Sequence, residues 1–434
     1  MRIMALRARI ALAVAFLALL TFFAAARSAA QAPERITVSP DGPIRKVTEA
    51  VERASPGATV VVKAGHYREP TVVVKKPMTI IGEGWPTMDG EDQREILIVA
   101  ADDVTVRGMR FINTGTSQIE DRAALRVANS GGCLIEGNRF ENTFFGIYLA
   151  RVNGCRVVGN ELSGRPGTEE YTGNGIHLWS VGDTEIANNH VRGHRDGIYF
   201  EFARNTTAER NVSEKNLRYG LHFMFSDDCH YLENTFRSNG AGVAVMYTNR
   251  VEMRGNRFED NPGSAAYGLL LKEIKEPVLR GNLFARNTVA LFADGASDII
   301  AEGNRFLDNG WAVKLMASTA EGRFTANDFV NNTFDVATNS RRNRVEFSGN
   351  YYDGYRGYDL DRDGRGDVPH HPVRLFSLLV EQNAPLMILL RSAFVALLDR
   401  AEQLVPALTP ETLVDSSPAM KPNTTAAPKL ATRP

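Results

Sequence analysis

Along most of this chain apolar and polar residues alternate in short runs, each broken by Gly or Asn after a few positions. A two-residue period over so short a span predicts half-buried β-strands. The runs recur. The element Gly-Asn-x-Phe, or a close relative, places an Asn at 138, 160, 189, 211, 234, 256, 282, 304, 327 and 350, after a degenerate copy at Gly108-Met-Arg-Phe111. Successive steps are 22, 29, 22, 23, 22, 26, 22, 23 and 23 residues. A period of 22–23 with two longer steps predicts a solenoid with loop insertions, the first including Gly164–Asn174. No leucine-rich consensus is present, and a repeat leaves no room for a helix. The predicted fold is all-β, a right-handed parallel β-helix with about three strands per coil and coils ~4.8 Å apart. The recurring Asn would form a ladder at one turn.

Alignment on Gly146, Gly175, Gly197, Gly220, Gly242 and Gly268 sorts side chains by face. One residue on stand Ile147, Ile176, Ile198, Leu221, Val243 and Leu269; three on stand Leu149, Leu178, Phe200, Phe223, Val245 and Leu271. Both columns are apolar and therefore point inward. The columns between them point outward: Tyr148, His177, Tyr199, His222, Ala244, Leu270, and then Ala150, Trp179, Glu201, Met224, Met246, Lys272.

The ends differ from the repeats. Residues 1–30 hold a basic start (Arg2, Arg7, Arg9), an apolar stretch from Ile10 to Ala26 and small residues, which reads as a cleaved signal peptide rather than an anchor. Residues 31–100 form a cap and first coils, with an amphipathic helix over Pro43–Arg53 covering the open edge. The repeats occupy 101–352. An Asp-rich loop fills 353–372, C-terminal helices 373–405, and a Pro/Thr/Ala-rich tail, extended or disordered, 406–434. The helices, with Asn383 and Pro385 at a start and Met387, Leu390, Phe394, Leu397, Leu398 and Ala401 on one face, suit an end plug, a docking surface for a membrane-bound partner, or both.

Charge narrows the function. The chain carries a formal −1, and removal of residues 1–30 takes four arginines and no acids, giving −1 − 4 = −5. Nucleic-acid binding needs a basic surface and is excluded. Three cysteines are too few for a disulfide scaffold. Cys133, Cys155 and Cys229 each stand five residues before a ladder Asn, an inward position, so three buried thiols are expected, with a Cys133–Cys155 bridge as the alternative.

Two stretches carry candidate chemistry. His222, Met224 and Met246 project from neighbouring coils, with His177 and Glu201 on adjoining ones. Imidazole with thioether selects soft transition metals, copper(I) above all. Asp359, Asp361, Asp363 and Asp367 match the front of a calcium loop with Gly364 at its sixth place, but His370 occupies the place of the closing Glu; a carboxylate-rich turn is the other reading. The rival function is an exported polysaccharide lyase, hydrolase or epimerase, drawing on Asp227, Asp228 and His230 or His194, Arg195 and Asp196. The coils show no stack of Asp, Arg and Lys to support it.

Arg218-Tyr-Gly-Leu-His-Phe-Met-Phe-Ser-Asp-Asp, Asn350-Tyr-Tyr-Asp-Gly and Tyr358-Asp-Leu-Asp-Arg-Asp-Gly-Arg-Gly-Asp resemble the NosD family over essentially the whole mature chain. The resemblance implies a periplasmic accessory protein for nitrous-oxide reductase maturation that assists copper delivery and is not itself an enzyme. It also implies an ABC-type complex with a NosY permease and a NosF ATPase that hydrolyses ATP, and a NosL chaperone as copper donor. It supplies no ligand list; His222, Met224, Met246, His177 and Glu201 rest on register alone.

Overall fold

The computed structural model describes residues 33–423 apart from 262, 264–265, 341–343, 391 and 405–412. The signal peptide read over 1–30 lies outside the described residues.

Strand pairing within each repeat is satisfied by the coils before and after it, so the alternating runs build three long parallel sheets of 14, 12 and 13 strands. Each coil contributes one strand to each sheet in turn, the topology of a parallel β-solenoid. The second sheet, from Val72–Val74 to Phe334–Thr338, carries the columns of interest. There Ile147, Ile176, Ile198, Leu221, Val243 and Leu269 stack in register and are buried in one continuous core with Leu149, Leu178, Phe200, Phe223, Val245 and Leu271. The inward assignments hold at every one of these positions.

The predicted Asn ladder is present from Asn138 to Asn350. Each carboxamide oxygen accepts the backbone N–H of the preceding ladder residue, as Asn234 Oδ1 does from Asn211 at 2.9 Å. Each amide also donates inward to a carbonyl one coil back, as Asn211 Nδ2 does to Ile186 at 2.7 Å. These buried groups have no water to turn to, so every rung is needed. A second ladder, Asn216, Asn239, Asn261, Asn287, Asn309 and Asn332, runs parallel, each member five residues after a member of the first. It also explains the glycine column: a Cβ at Gly220 would lie 2.7 Å from Asn239 Nδ2. Two residues after the ladder Asn, Phe236, Phe258, Phe284, Phe306, Phe329 and Tyr352 stack face to face at 4.6–5.6 Å.

The N-terminal helix is Val47–Arg53, shorter than expected. Its start is fixed by the buried Glu69, whose carboxylate accepts from the N–H groups of Val47 (2.7 Å) and Thr48 (2.9 Å), where the helix dipole favours a negative charge. Val47, Ala50 and Val51 close the first open edge of the core.

The C-terminal region departs from expectation in two ways. It forms three pieces, the helices Leu375–Gln382 and Ala393–Leu404 with a 3₁₀ turn over Ala384–Leu389 between them, so Asn383 both ends the first helix and, with Pro385 in the first turn, opens a 3₁₀ turn where an α-helix was expected. Phe376, Val380 and Val395 pack on Phe334 and plug the last coil. Part of the tail read over 406–434 as extended or disordered is ordered: residues 413–423 fold back onto the final coil, while 406–412 and 424–434 lie outside the described residues. Asp415 there bridges to Phe347 and His370, and Ala419 to Tyr351 and Arg365. A second correction concerns the cysteines. Cys133 and Cys155 are disulfide-bonded across adjacent coils, because the inward column brings their Cα atoms to 4.5 Å; only Cys229 is a buried free thiol.

Candidate metal centre

The site is built on the neighbouring strands Ile176–Trp179, Ile198–Glu201, Tyr219–Met224 and Ala241–Asn249. Their register pairs His177 with Tyr199, Tyr199 with His222, Glu201 with Met224, and Met224 with Met246. The outward columns are thus as expected, but their exposure is not. His177 and His222 point away from the coil yet are each only 7% exposed. The reason is a roof. Asn174, at the end of the insertion, bonds His177 Nδ1 at 2.9 Å, and Arg218 and Tyr219 close over His222.

Beneath the roof the rings form a stack. Tyr148, His177 and Tyr199 lie face to face at 4.4 and 4.7 Å, and Tyr199 meets His222 edge-on at 4.9 Å. Burial pushes the Tyr199 hydroxyl up to about 12, so it stays protonated and donates to Met224 Sδ at 3.7 Å. Burial, with Arg195 nearby, drives His177 down to about 3, which keeps it neutral. Burial likewise raises the Glu201 carboxyl.

A charge network anchors the other side. Arg218 donates from Nε (2.9 Å) and Nη2 to the carboxylate of Asp196, which is fully buried, and His222 Nδ1 lies 3.3 Å from Asp196 Oδ2. Burial opposes ionisation of Asp196, but the hydrogen bonds from Arg218 and His222 prevail and hold it down to about 2. Nε2 of His222 and Nε2 of His177 are buried with no hydrogen-bond partner. An unpartnered imidazole nitrogen on the strand that carries Met224 is the kind of donor a soft Lewis acid takes, so His222 and the thioethers fit copper(I).

Not every expected ligand converges. Tyr199 separates His177 from His222 in the stack, and among the described residues the close group of carboxylate, imidazole or thiol donors includes neither histidine nor Glu201. His222 and Met224 stand two residues apart on one strand, and Met246 is in register with Met224 on the next coil. Met224 and Met246 are half-buried. One residue further along, Phe202, Phe225 and Tyr247 stack at 5.4 and 5.2 Å, each 43–49% exposed and each in the left-handed region at φ 49–55°. Aromatic side chains seldom accept that backbone. The sequence reading missed this ridge, and Asp196, Arg218 and Tyr199 as partners of the candidate side chains; the aromatic residue five positions after Gly197, Gly220 and Gly242 was the available signal.

Elsewhere, Asp359, Asp361 and Asp363 do gather their oxygens within 4.8 Å of one another. Asp367 stands apart, accepting from the Leu360 N–H at 2.7 Å, and His370 is stacked on Tyr352 at 4.2 Å. The residues drafted for sugar chemistry are dispersed. Asp228 pairs with Arg250 at 2.6 Å, His230 with Glu252 at 3.3 Å, and Asp196 is locked to Arg218.

The fold is a parallel β-solenoid whose second sheet carries buried imidazole and half-buried thioether side chains on neighbouring strands. Comparison with known families agrees. Residues 158–357 match the family described as NosD, periplasmic copper-binding protein. The chain is 27% identical over 423 residues to a Stutzerimonas stutzeri protein named "Probable ABC transporter binding protein NosD", covering 93% of each chain. It is 29% identical over 377 residues to the protein of the same name from Pseudomonas aeruginosa, covering 82% of this chain and 87% of that one. Among solved structures it resembles PfbA, a surface adhesin of Streptococcus pneumoniae, with TM-score 0.50 at 11% identity over 72% of this chain and 87% of that one. It also resembles tailspike protein 3 of bacteriophage CBA120, with TM-score 0.51 at 12% identity over 77% and 65%. These two likenesses concern the fold alone.

Proposed function

We propose that this protein is the periplasmic component of an ABC-type copper-delivery complex that serves nitrous-oxide reductase maturation. It receives copper(I) from a NosL-like chaperone and is moved by NosY- and NosF-like subunits, the latter hydrolysing the ATP. The observation that carries the reading is the buried, unpartnered Nε2 of His222 on the strand that also bears Met224, with Met246 in register on the next coil. His222, Met224 and Met246 hold the ion as transient cargo, and His177 and Glu201 flank its path. Thioether ligands favour release to a partner over permanent retention, because they add no fixed negative charge to the site.

Titration of the purified protein with copper(I) against a chelating competitor tests the reading. Wild type is expected to hold one ion, and the double substitution Met224→Ala/Met246→Ala to lower its affinity at least tenfold; unchanged affinity sinks the assignment. A deletion strain supplied with the double variant should yield reductase short of copper. The Asp359, Asp361 and Asp363 oxygens are proposed in addition to hold calcium. Calcium should then raise the unfolding temperature of wild type and leave Asp361→Asn/Asp363→Asn unmoved.

A further inference from the structure

We propose that Asp196 is a positioning residue that keeps the proton of His222 on Nδ1, so that Nε2 presents a bare lone pair. Neutral imidazole carries its proton on one nitrogen, and the partner of the other nitrogen selects the tautomer. Nδ1 lies 3.3 Å from Asp196 Oδ2, an oxygen that can only accept while the carboxylate is ionised. Arg218 Nη2 lies at the same 3.3 Å from Nδ1 and keeps a second hydrogen beyond the one given to Asp196, but a donation from it to Nδ1 would require the imidazole proton to sit on Nε2. With the guanidinium drawn to the carboxylate, the favourable place for the imidazole proton is between Nδ1 and Oδ2.

The far side of the ring gives the same answer. Nε2 is buried with no acceptor in reach. A proton there would be an orphaned donor, the costlier of the two ways to leave a buried nitrogen unpaired. Burial of Asp196 at 0% exposure removes water as a competing partner on the Nδ1 side. The ring itself is held by Tyr199 edge-on at 4.9 Å and by Tyr219 at 4.8 Å, so it cannot turn Nδ1 away from Asp196 without breaking both contacts. A carboxylate behind a ligand imidazole raises its basicity and fixes its direction, and loss of such a partner lowers metal affinity by about 10- to 100-fold. Only this consequence for copper rests on the function proposed above; the tautomer is a property of the metal-free protein.

The test is a two-dimensional proton–nitrogen correlation of metal-free protein carrying ¹⁵N-labelled histidine, which distinguishes the two tautomers by their nitrogen shifts. His222 is expected as the Nδ1–H form. Asp196→Asn presents an amide able to donate to Nδ1, and is expected to move the proton to Nε2 and to lower copper(I) affinity at least tenfold. A wild-type His222 found as the Nε2–H form overturns the proposal, and this measurement stands even where the variant fails to fold. A folded Asp196→Asn that keeps the Nδ1–H form overturns it as well. A tautomer that switches with copper affinity unchanged upholds the role of Asp196 and removes His222 from the copper ligands instead.

Discussion

Asn350, the last rung of the Asn ladder, donates its side-chain amide to Asp415 at 2.9 Å, and the same carboxylate oxygen accepts the Asn350 backbone N–H at 3.0 Å. The other oxygen takes the Gly349 N–H at 3.1 Å. Asp415 thus occupies the place of the next ladder Asn. Every earlier rung needs an acceptor for the coil before and a donor for the interior. The final rung needs the acceptor alone, and a carboxylate supplies it. Asp415→Ala would leave three buried donors unmatched and is expected to destabilise the last coil by about 2–4 kcal/mol. Amide exchange at Gly349 and Asn350 should accelerate accordingly while that of the middle coils is unmoved; protection unchanged at both would refute the cap.

Asp335 sits on the last strand of the second sheet, under the helical plug, and burial pushes its carboxyl up from 3.8 to about 6. Its contribution to stability is fully present below pH 3.8 and is lost as the pH rises through 6, because ionisation then happens inside the plug. Asp335→Asn should therefore stabilise the protein above pH 6 by about 2 kcal/mol and have little effect near pH 4. Unfolding temperatures of both proteins measured across that range check the sign.

The inner Asn ladder makes a different claim. Asn239 Oδ1 accepts from the Asn216 backbone, and its amide donates to the Ser213 carbonyl at 3.0 Å beneath Gly220. Asn239→Ala should cost about 2–3 kcal/mol. Restoring volume without hydrogen bonding, as in Asn239→Leu, should cost more, since a branched side chain cannot fit beneath the glycine column. If Leu outperforms Ala in thermal unfolding, packing and not polarity governs that position.

At Phe225 two terms nearly cancel. Glycine would relieve a left-handed backbone at φ 49°, worth about 1 kcal/mol, while giving up exposed stacking on Phe202 and Tyr247 of similar size. Phe225→Gly is expected to change stability by less than about 1 kcal/mol. A ridge held in that backbone without benefit to the fold is kept for contact with something else, so the rate of copper transfer from the chaperone should fall in the same variant. A transfer rate equal to wild type would count against that role.

Ile388, Phe394 and Leu397 are 89%, 53% and 69% exposed on the plug, although their neighbours Val380 and Val395 are buried. Large apolar side chains grouped at the end of a solenoid mark a partner surface. Replacing Ile388 and Leu397 by Glu should abolish co-purification with the transporter and leave the unfolding temperature within 2–3 °C of wild type, about the shift of a surface change. Intact co-purification would place the contact elsewhere.

The repeat and both faces of its strands were legible because period-two alternation and the Asn spacing are local properties. Ile147 and Leu221 could be assigned inward from neighbours in sequence alone. The Asn216 series was equally regular and went unread, hidden behind the more obvious first ladder. What could not be read was cover. His222 points outward from its coil, as its register requires, but Arg218 folds back over it from the same strand and Asp196 meets it from the coil before. Such contacts depend on side-chain direction, which no periodicity encodes. The return of Asp415 to Asn350 across 65 residues was hidden for the same reason.

The clasp at Asn350 also sets an order of events. An exported chain crosses its membrane with the N-terminus leading, so the helix Val47–Arg53 is available to blunt the first edge from the outset. At the opposite end the helical plug covers the strand Phe334–Thr338, but the strands Arg344–Ser348 and Tyr351–Tyr352 have no cover until residues 413–423, later still in the chain, complete their crossing. Through that interval each new coil is a growing template with one sticky end, which favours addition of the next coil in line and exposes the molecule to any stray strand. Arrival of Asp415 ends the growth, and from then on the stack can neither lengthen nor pair with a copy of itself.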